Sequence, residues 1–189
     1  MHIVARIIMT VWLINGVAGA EEMNKKVEES GTPMECSATR YDGKLMIGEA
    51  EWIHLPRQNM RLKGRIDTGA TTTSIDARGI RIQERDGRKW VLFDLVDREN
   101  GEKVHMDKPV VRIAEIKRHG AEHQERPVVK LHLKIGDAEK YVEVSLTDRS
   151  KYDFPVLIGR NFLRGAAVVD VSRAYVTEPE QPAAKKEEK

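Results

Sequence analysis

The chain has 189 residues, 40% of them hydrophobic but only 5% aromatic, so one ordinary domain with an aliphatic core fits and two large domains do not. Charged residues make up 33% and nearly cancel, to a formal charge of +2, which argues against a dedicated nucleic-acid binder and against a wholly disordered chain. A single mainly apolar stretch excludes a polytopic membrane protein, and the lone Cys36 excludes an intrachain disulfide and a multi-cysteine metal site.

Residues 1–20 carry that stretch. Arg6 stands in a short leading region, an apolar run covers 7–14, and Ala18-Gly19-Ala20 supplies the small side chains that a signal peptidase accepts. Glu21 and Glu22 end the apolar character at once. The pattern predicts a secretory signal cleaved after Ala20, export to the periplasm or the extracellular space, and no stable membrane insertion afterwards. Residues 21–43 are polar and punctuated by Gly, Pro and Ser, as expected of a flexible N-terminal arm.

The folded part is expected over residues 44–177, and its periodicity is that of strands. Residues 45–53 form the first, ended by Leu55-Pro56. Residues 62–66 alternate apolar and basic side chains and run into Asp67; with Arg57 and Arg61, Lys63 and Arg65 read as a solvated basic face rather than a nucleic-acid patch. Residues 90–96 are β-rich. Residues 110–116 and 128–135 suit the arms of a hairpin whose tip, 117–126, is polar and charged. Residues 141–146 place Val142, Val144 and Leu146 on one face, and 156–158 form a short apolar run suited to a strand buried on both sides. The sparse helical signal falls at 161–164. Residues 168–171 and 174–176 close the domain, and the charged tail 178–189 lacks apolar periodicity and is expected to be disordered. Many short strands separated by turn signals predict an all-β barrel or sandwich.

Two segments carry chemistry. In Arg65-Ile66-Asp67-Thr68-Gly69-Ala70-Thr71-Thr72-Thr73-Ser74 a carboxylate stands at the end of an apolar strand. Thr68 offers a hydroxyl able to bond across an interface, and Gly69 lets a second backbone or a substrate come close. Such an aspartate becomes catalytic when a second one faces it. Two carboxyls in contact share one proton; the ionised one activates water and the protonated one polarises the scissile carbonyl. The second segment is Pro155-Val156-Leu157-Ile158-Gly159-Arg160-Asn161-Phe162-Leu163. Asp-Thr-Gly by itself also suits an ordinary strand-ending turn.

Together the two segments resemble the retropepsin-like aspartic peptidases, the second being similar to the closing stretch of a retroviral protease. Four blocks in order are similar to a bacterial family labelled "ATP-dependent zinc protease": Leu55-Pro56, residues 65–74, Trp90-Val91-Leu92-Phe93, and Leu157-Ile158-Gly159-Arg160. The resemblance implies a retropepsin-like acid-protease barrel with a flap hairpin and at most one short helix. It implies that Asp67 is catalytic, that Thr68 bonds between subunits behind it, and that Gly69 and Ala70 line the substrate cleft. Gly159 would pass beneath the aspartate loop and Arg160 would anchor that turn. His119, Gly120 and Ala121 would lie on the flap over a bound peptide.

The chain has one Asp-Thr-Gly and no Asp-Ser-Gly, so a working site on this plan needs a homodimer with Asp67 from each subunit. Thr71 stands where retroviral enzymes place an acid that pairs with the arginine, leaving Asp76 or Asp170 as candidates for that charge. The charged flap and the long polar chain ends also depart from the retroviral pattern.

The label's two cofactors do not fit the residues. Gly64 to Thr71 has the glycine spacing of a phosphate-binding loop but Ala70 where the lysine belongs. His119-Gly120-Ala121-Glu122-His123 matches the letters of an inverted zinc signature, but that motif needs a helix and the flanks predict a hairpin. No metal and no cofactor is expected; a zinc hydrolase on His119, Glu122 and His123 is the third possibility. The reading is an exported aspartic endopeptidase acting on an extended polypeptide. The alternative is a non-catalytic module of the same fold that binds a peptide or an envelope component.

Overall fold

The computed structural model describes residues 39–118 and 121–178, with the backbone alone for 116–118 and 121–123. The predicted signal, most of the predicted arm, His119, Gly120 and residues 179–189 lie outside the described residues. Among the described residues, no helix is long and apolar enough to cross a membrane.

The described residues form thirteen strands and one short helix, in the following order. β1 (Arg40–Tyr41) and β2 (Lys44–Ile47) pair as a hairpin. β3 (Ala50–Leu55) and β4 (Met60–Ile66) make a second hairpin across the Pro56–Gln58 turn. β5 (Thr73–Asp76) follows the aspartate loop. β6 (Arg78–Arg85), β7 (Arg88–Val96) and β8 (Lys103–Pro109) form an antiparallel sheet of their own. β9 (Arg112–Arg118), β10 (Ala121–Ile135) and β11 (Ala138–Thr147) follow as a meander, then β12 (Val156–Ile158), helix α1 (Arg160–Leu163) and β13 (Ala167–Val169), which pairs with β2.

Six strands close a barrel in the order β11-β5-β12-β4-β3-β10, with β10 pairing back to β11. Closure leaves these strands without free edges and explains their inward/outward alternation. Along β4, Met60, Leu62, Gly64 and Ile66 are buried while Arg61, Lys63 and Arg65 face out. The basic face is therefore solvated as expected, and each cation has local company. Arg61 lies 4.0 Å above the Trp52 ring, Lys63 reaches Glu99 at 3.1 Å and Arg65 reaches Glu49 at 3.2 Å. Ile53, Leu55, Leu133, Ile135, Leu146 and Ile158 are among the fully enclosed side chains of an aliphatic core.

The all-β reading holds, with four local differences. First, 45–53 is two strands, because at Gly48 the chain leaves the ladder: its N–H donates to Glu51 Oε1 at 2.7 Å. A Cβ there would lie 2.4 Å from the Arg173 carbonyl oxygen. Second, 174–176 is no strand but an irregular strap across β3, with Glu49 N–H donating to Arg173 O and Tyr175 N–H to Ala50 O, both at 2.7 Å. Third, the folded body begins before residue 44, since Arg40–Tyr41 is paired to β2, and extends to Glu178, which holds His54 at 2.7 Å. Fourth, β6 and β8 carry no clear apolar alternation in the sequence. They are strands because they flank β7, whose Val91, Phe93 and Leu95 are buried together with Met106.

The strap is held by a buried acid. Glu51 is 0% exposed and accepts four hydrogen bonds: from Gly48 N, Val176 N (3.0 Å), Thr177 N (3.2 Å) and Thr177 Oγ1 (2.9 Å). A buried carboxylate is tolerated because donors replace its lost water.

Candidate active site

β4 and β5 are consecutive in the chain but not neighbours in the barrel, because β12 lies between them, parallel to β4 and antiparallel to β5. The loop 67–72 must therefore bridge two interstrand spacings, roughly 10 Å, over the end of β12. The alternation of β4 carries one step further and leaves Asp67 half-buried at the start of that bridge.

The aspartate is fixed from two directions. Its N–H donates to the Ile158 carbonyl of β12 at 2.9 Å. Its Oδ1 accepts the N–H of Gly69 at 2.9 Å and of Ala70 at 3.0 Å. Oδ2 has no protein partner among the described residues. One carboxylate oxygen thus orients the group and the other is left for chemistry. Thr68 and Gly69 are exposed and Ala70 half-buried, so the loop presents its tip outward.

Gly159 lies directly beneath the loop. A Cβ there would lie 2.7 Å from the Thr72 carbonyl carbon and 3.0 Å from the Ala70 oxygen. Backbone bonds join the layers: Arg160 N–H donates to Ala70 O at 2.8 Å and Asn161 N–H to Thr71 O at 3.2 Å. Gly159→Ala should push the loop away from β12, costing about 1–3 kcal/mol of stability as an overpacked site does. The displaced carboxylate should lower any Asp67-dependent activity about a hundredfold, the scale of a 1 Å misplacement. Thermal melts beside peptide-cleavage rates check both; unchanged rates would show that the close passage is dispensable.

Arg160 anchors the turn through its side chain too. Nη1 donates to the carbonyls of Thr68 (3.0 Å) and Gly69 (2.6 Å), and Nη2 to Thr71 Oγ1 (3.0 Å). The expectation that Asp76 or Asp170 supplies an acidic partner is corrected. Asp76 is engaged by Arg78 and Arg98, and Asp170 accepts from Ser172. Carbonyl dipoles and the Thr71 hydroxyl do the work that a carboxylate does elsewhere.

Sequence reasoning placed Asn161 only at the start of the short helix and missed its side chain. Its Oδ1 accepts from both Thr73 N (3.0 Å) and Thr73 Oγ1 (2.8 Å), and its Nδ2 donates to Glu143 O (2.7 Å). Thr73 Oγ1 in turn accepts from Gly159 N at 3.1 Å. The amide thereby ties β5, β11 and β12 together behind the aspartate loop. Arg112, at the base of β9, was likewise missed; it bonds Glu143 at 2.8 Å and comes within 3.5 Å of Thr72 Oγ1. Its signal was hidden in a charge-rich chain.

The flap hairpin is β9 and the first half of β10, paired from Arg112↔Val128 to Arg118↔Ala121. His119 and Gly120 fall outside the described residues, and of Ala121 only the backbone, in β10, is described. Glu122 and His123 lie on that strand rather than on a helix, against the geometry that an inverted zinc motif needs. Among the described residues no group of three or more His, Cys, Asp or Glu is placed to hold a metal ion.

Comparison with known proteins places this geometry. The family described as "RimB-like: Retropepsin-like aspartic endopeptidase RimB" matches residues 46–180. The chain belongs to the RimB-like family. Two curated relatives named "Probable alpha-L-glutamate ligase" also match. The one from Shewanella pealeana (strain ATCC 700345 / ANG-SQ1) is 33% identical over 137 residues, and the one from Shewanella halifaxensis (strain HAW-EB4) is 32% identical. Each match covers 71% of this chain but 30% of the ligase, so this RimB-like chain spans under a third of those relatives. A crystal structure of a Legionella pneumophila protein of unknown function (DUF785) is similar at a TM-score of 0.59 and 28% identity, covering 70% of this chain and 98% of that one. The RimB-like match spans both chemistry-bearing segments, from β2 through the strap.

Proposed function

We propose that the protein is an aspartic endopeptidase acting as a homodimer, with one Asp67 from each subunit. The observation that carries this reading is the half-held carboxylate: Oδ1 is occupied by two loop amides and Oδ2 is not engaged. Membership of the RimB-like family supports it. In the dimer the two carboxyls share a proton, since like charges in contact do not both ionise. The ionised member takes a proton from water as it attacks the scissile carbonyl, and the protonated member polarises the carbonyl oxygen. An extended polypeptide would lie between this loop and the flap, bonded as an added strand. The exposed Thr68 would bond across the two-fold axis. The site would work outside the cytoplasm once residues 1–20 are removed.

The test is cleavage of a denatured-protein library at mildly acidic pH by residues 21–189. Specific activity should rise with protein concentration as dimers form, and a statine-type inhibitor should block it. Activity independent of concentration in a strictly monomeric protein would defeat the shared site. Binding of peptides without turnover would favour the non-catalytic alternative. Loss of activity on chelation would favour the zinc hydrolase.

A further inference from the structure

The sheet β6–β8 is inserted between β5 and the flap, and one of its side chains reaches out of it. Arg98, in the turn after β7, donates Nε and Nη2 to Asp76 Oδ2 at 3.2 and 2.7 Å. It also donates Nη1 to the Tyr152 carbonyl at 2.6 Å and Nη2 to the Arg149 carbonyl at 2.7 Å. Asp76, on β5, has a side chain only 1% exposed. Its Oδ1 accepts Arg149 N–H at 2.7 Å, and Arg78 adds a second cation at 2.9 Å. Arg149 itself folds inward, donating to Ser74 Oγ and to the Phe154 carbonyl, each at 3.1 Å. Burial lowers its pKa from the ordinary value, with Tyr152 and Asp76 opposing the shift. The loop 148–155 is therefore pinned at Arg149, Tyr152 and Phe154 by a buried charge cluster.

That loop runs straight into β12, whose Ile158 carbonyl holds the Asp67 N–H. Arg65 and Asp67 share the outward face of β4, two residues apart. The Phe154 ring lies 5.9 Å from the Arg65 guanidinium, which sets the loop beside the residue two before the aspartate. A cleft of about 200 Å³ is lined by Arg98 and Glu99 of the insert turn, by Asp153 and Pro155 of the loop, and by Trp52 and Lys63. An extended peptide advances about 3.3 Å per residue, so one lying from Asp67 past Arg65 would reach this wall within a few residues.

We infer that Arg98 is a positioning residue: from the inserted sheet it fixes the loop 148–155 as one wall of the substrate cleft. The inference rests on the aspartic-peptidase reading for its link to substrate, though not for its link to the loop. The guanidinium is suited to the role because its planar fork spans one carboxylate and two carbonyls at once, which a lysine ammonium does not. Without this donor the Tyr152 and Arg149 carbonyls bond water instead, and the loop is released from the insert.

The experiment compares wild type with Arg98→Met and with the milder Arg98→Lys, using Arg85→Met as the control. Arg85 pairs with Asp107 inside the insert at 2.6 Å and touches nothing in the loop. Amide hydrogen exchange should quicken over 148–155 in both Arg98 variants and stay unchanged in the control. For a peptide substrate long enough to reach the loop, KM should rise about tenfold in Arg98→Met with kcat within about twofold, the signature of lost substrate binding rather than lost chemistry. Arg98→Lys should recover only part of the KM. Unchanged exchange over 148–155 overturns the inference. So does a fall in kcat at constant KM, or full recovery by lysine. If wild type cleaves nothing, the peptidase reading fails and with it the substrate link, while the exchange data still decide whether Arg98 holds the loop.

Discussion

Asp67→Asn should abolish peptide cleavage, lowering kcat by about 10⁴-fold or more, the upper range for a general acid–base group. The substitution is chosen because it isolates chemistry from architecture. An asparagine oxygen can still accept the Gly69 and Ala70 N–H groups that now hold Oδ1, at 2.9 and 3.0 Å, so the loop keeps its shape and the melting temperature should hold. What disappears is the ionisable oxygen. On the proposed two-subunit site, the variant should also be dominant. A tenfold excess of Asp67→Asn subunits over wild type should reduce wild-type activity about tenfold, since most wild-type subunits then sit in mixed dimers. Cleavage rates on mixed samples measure this directly. Additive, unpoisoned activity would mean each subunit works alone and the two-aspartate mechanism is wrong.

The largest stability effect is expected at Glu51→Ala. Removing this carboxylate strips one buried backbone donor, at Gly48, and two half-buried ones, at Val176 and Thr177, of their acceptor, and the Thr177 hydroxyl of its own. Breaking a buried network by deleting one member costs about 3–5 kcal/mol. For a domain of this size that corresponds to a melting temperature lower by roughly 10–20 °C. The strap should loosen first. Its remaining ties include the backbone bonds of Arg173 to Glu49 and of Tyr175 to Ala50, Tyr175 against Trp52, with ring centroids 5.7 Å apart, and Glu178 with His54. Trypsin should then cut at Arg173 in the variant under conditions where wild type resists. A melt within about 2 °C of wild type would show that water replaces the carboxylate without loss.

Legibility from sequence varied by element for identifiable reasons. Where one face of a strand is buried in the barrel, alternation marks it, as in β4, where inward Leu62, Gly64 and Ile66 interleave with outward Arg61, Lys63 and Arg65. Where both faces are covered, as in β12, a continuous apolar run suffices. β6 and β8 escaped because only β7 is strongly apolar among the three; the outer two owe their strand state to pairing with it. The strap mimicked a strand because Ala174, Tyr175 and Val176 are apolar. Its backbone bonds go instead to Glu49, Ala50 and the Glu51 side chain, partners over a hundred residues away.

The candidate site divides in the same way. Asp67-Thr68-Gly69-Ala70 and Gly159-Arg160 could be picked out through their resemblance to a known family, and they prove to be a carboxylate held by the amides two and three residues on, and a residue without a side chain where two backbones cross. The sequence by itself determined an aliphatic all-β domain and the position of the aspartate at a strand end. The tertiary structure alone decided that β12 separates β4 and β5 beneath the loop. It also decided that Arg160 rests on carbonyls rather than an acid, that Asn161 braces Thr73, and that an arginine of the inserted sheet grips the loop after β11. The physical reason is range. Periodicity and turn chemistry are written in neighbouring residues, whereas a buried charge takes its partners from whatever the closed barrel brings beside it.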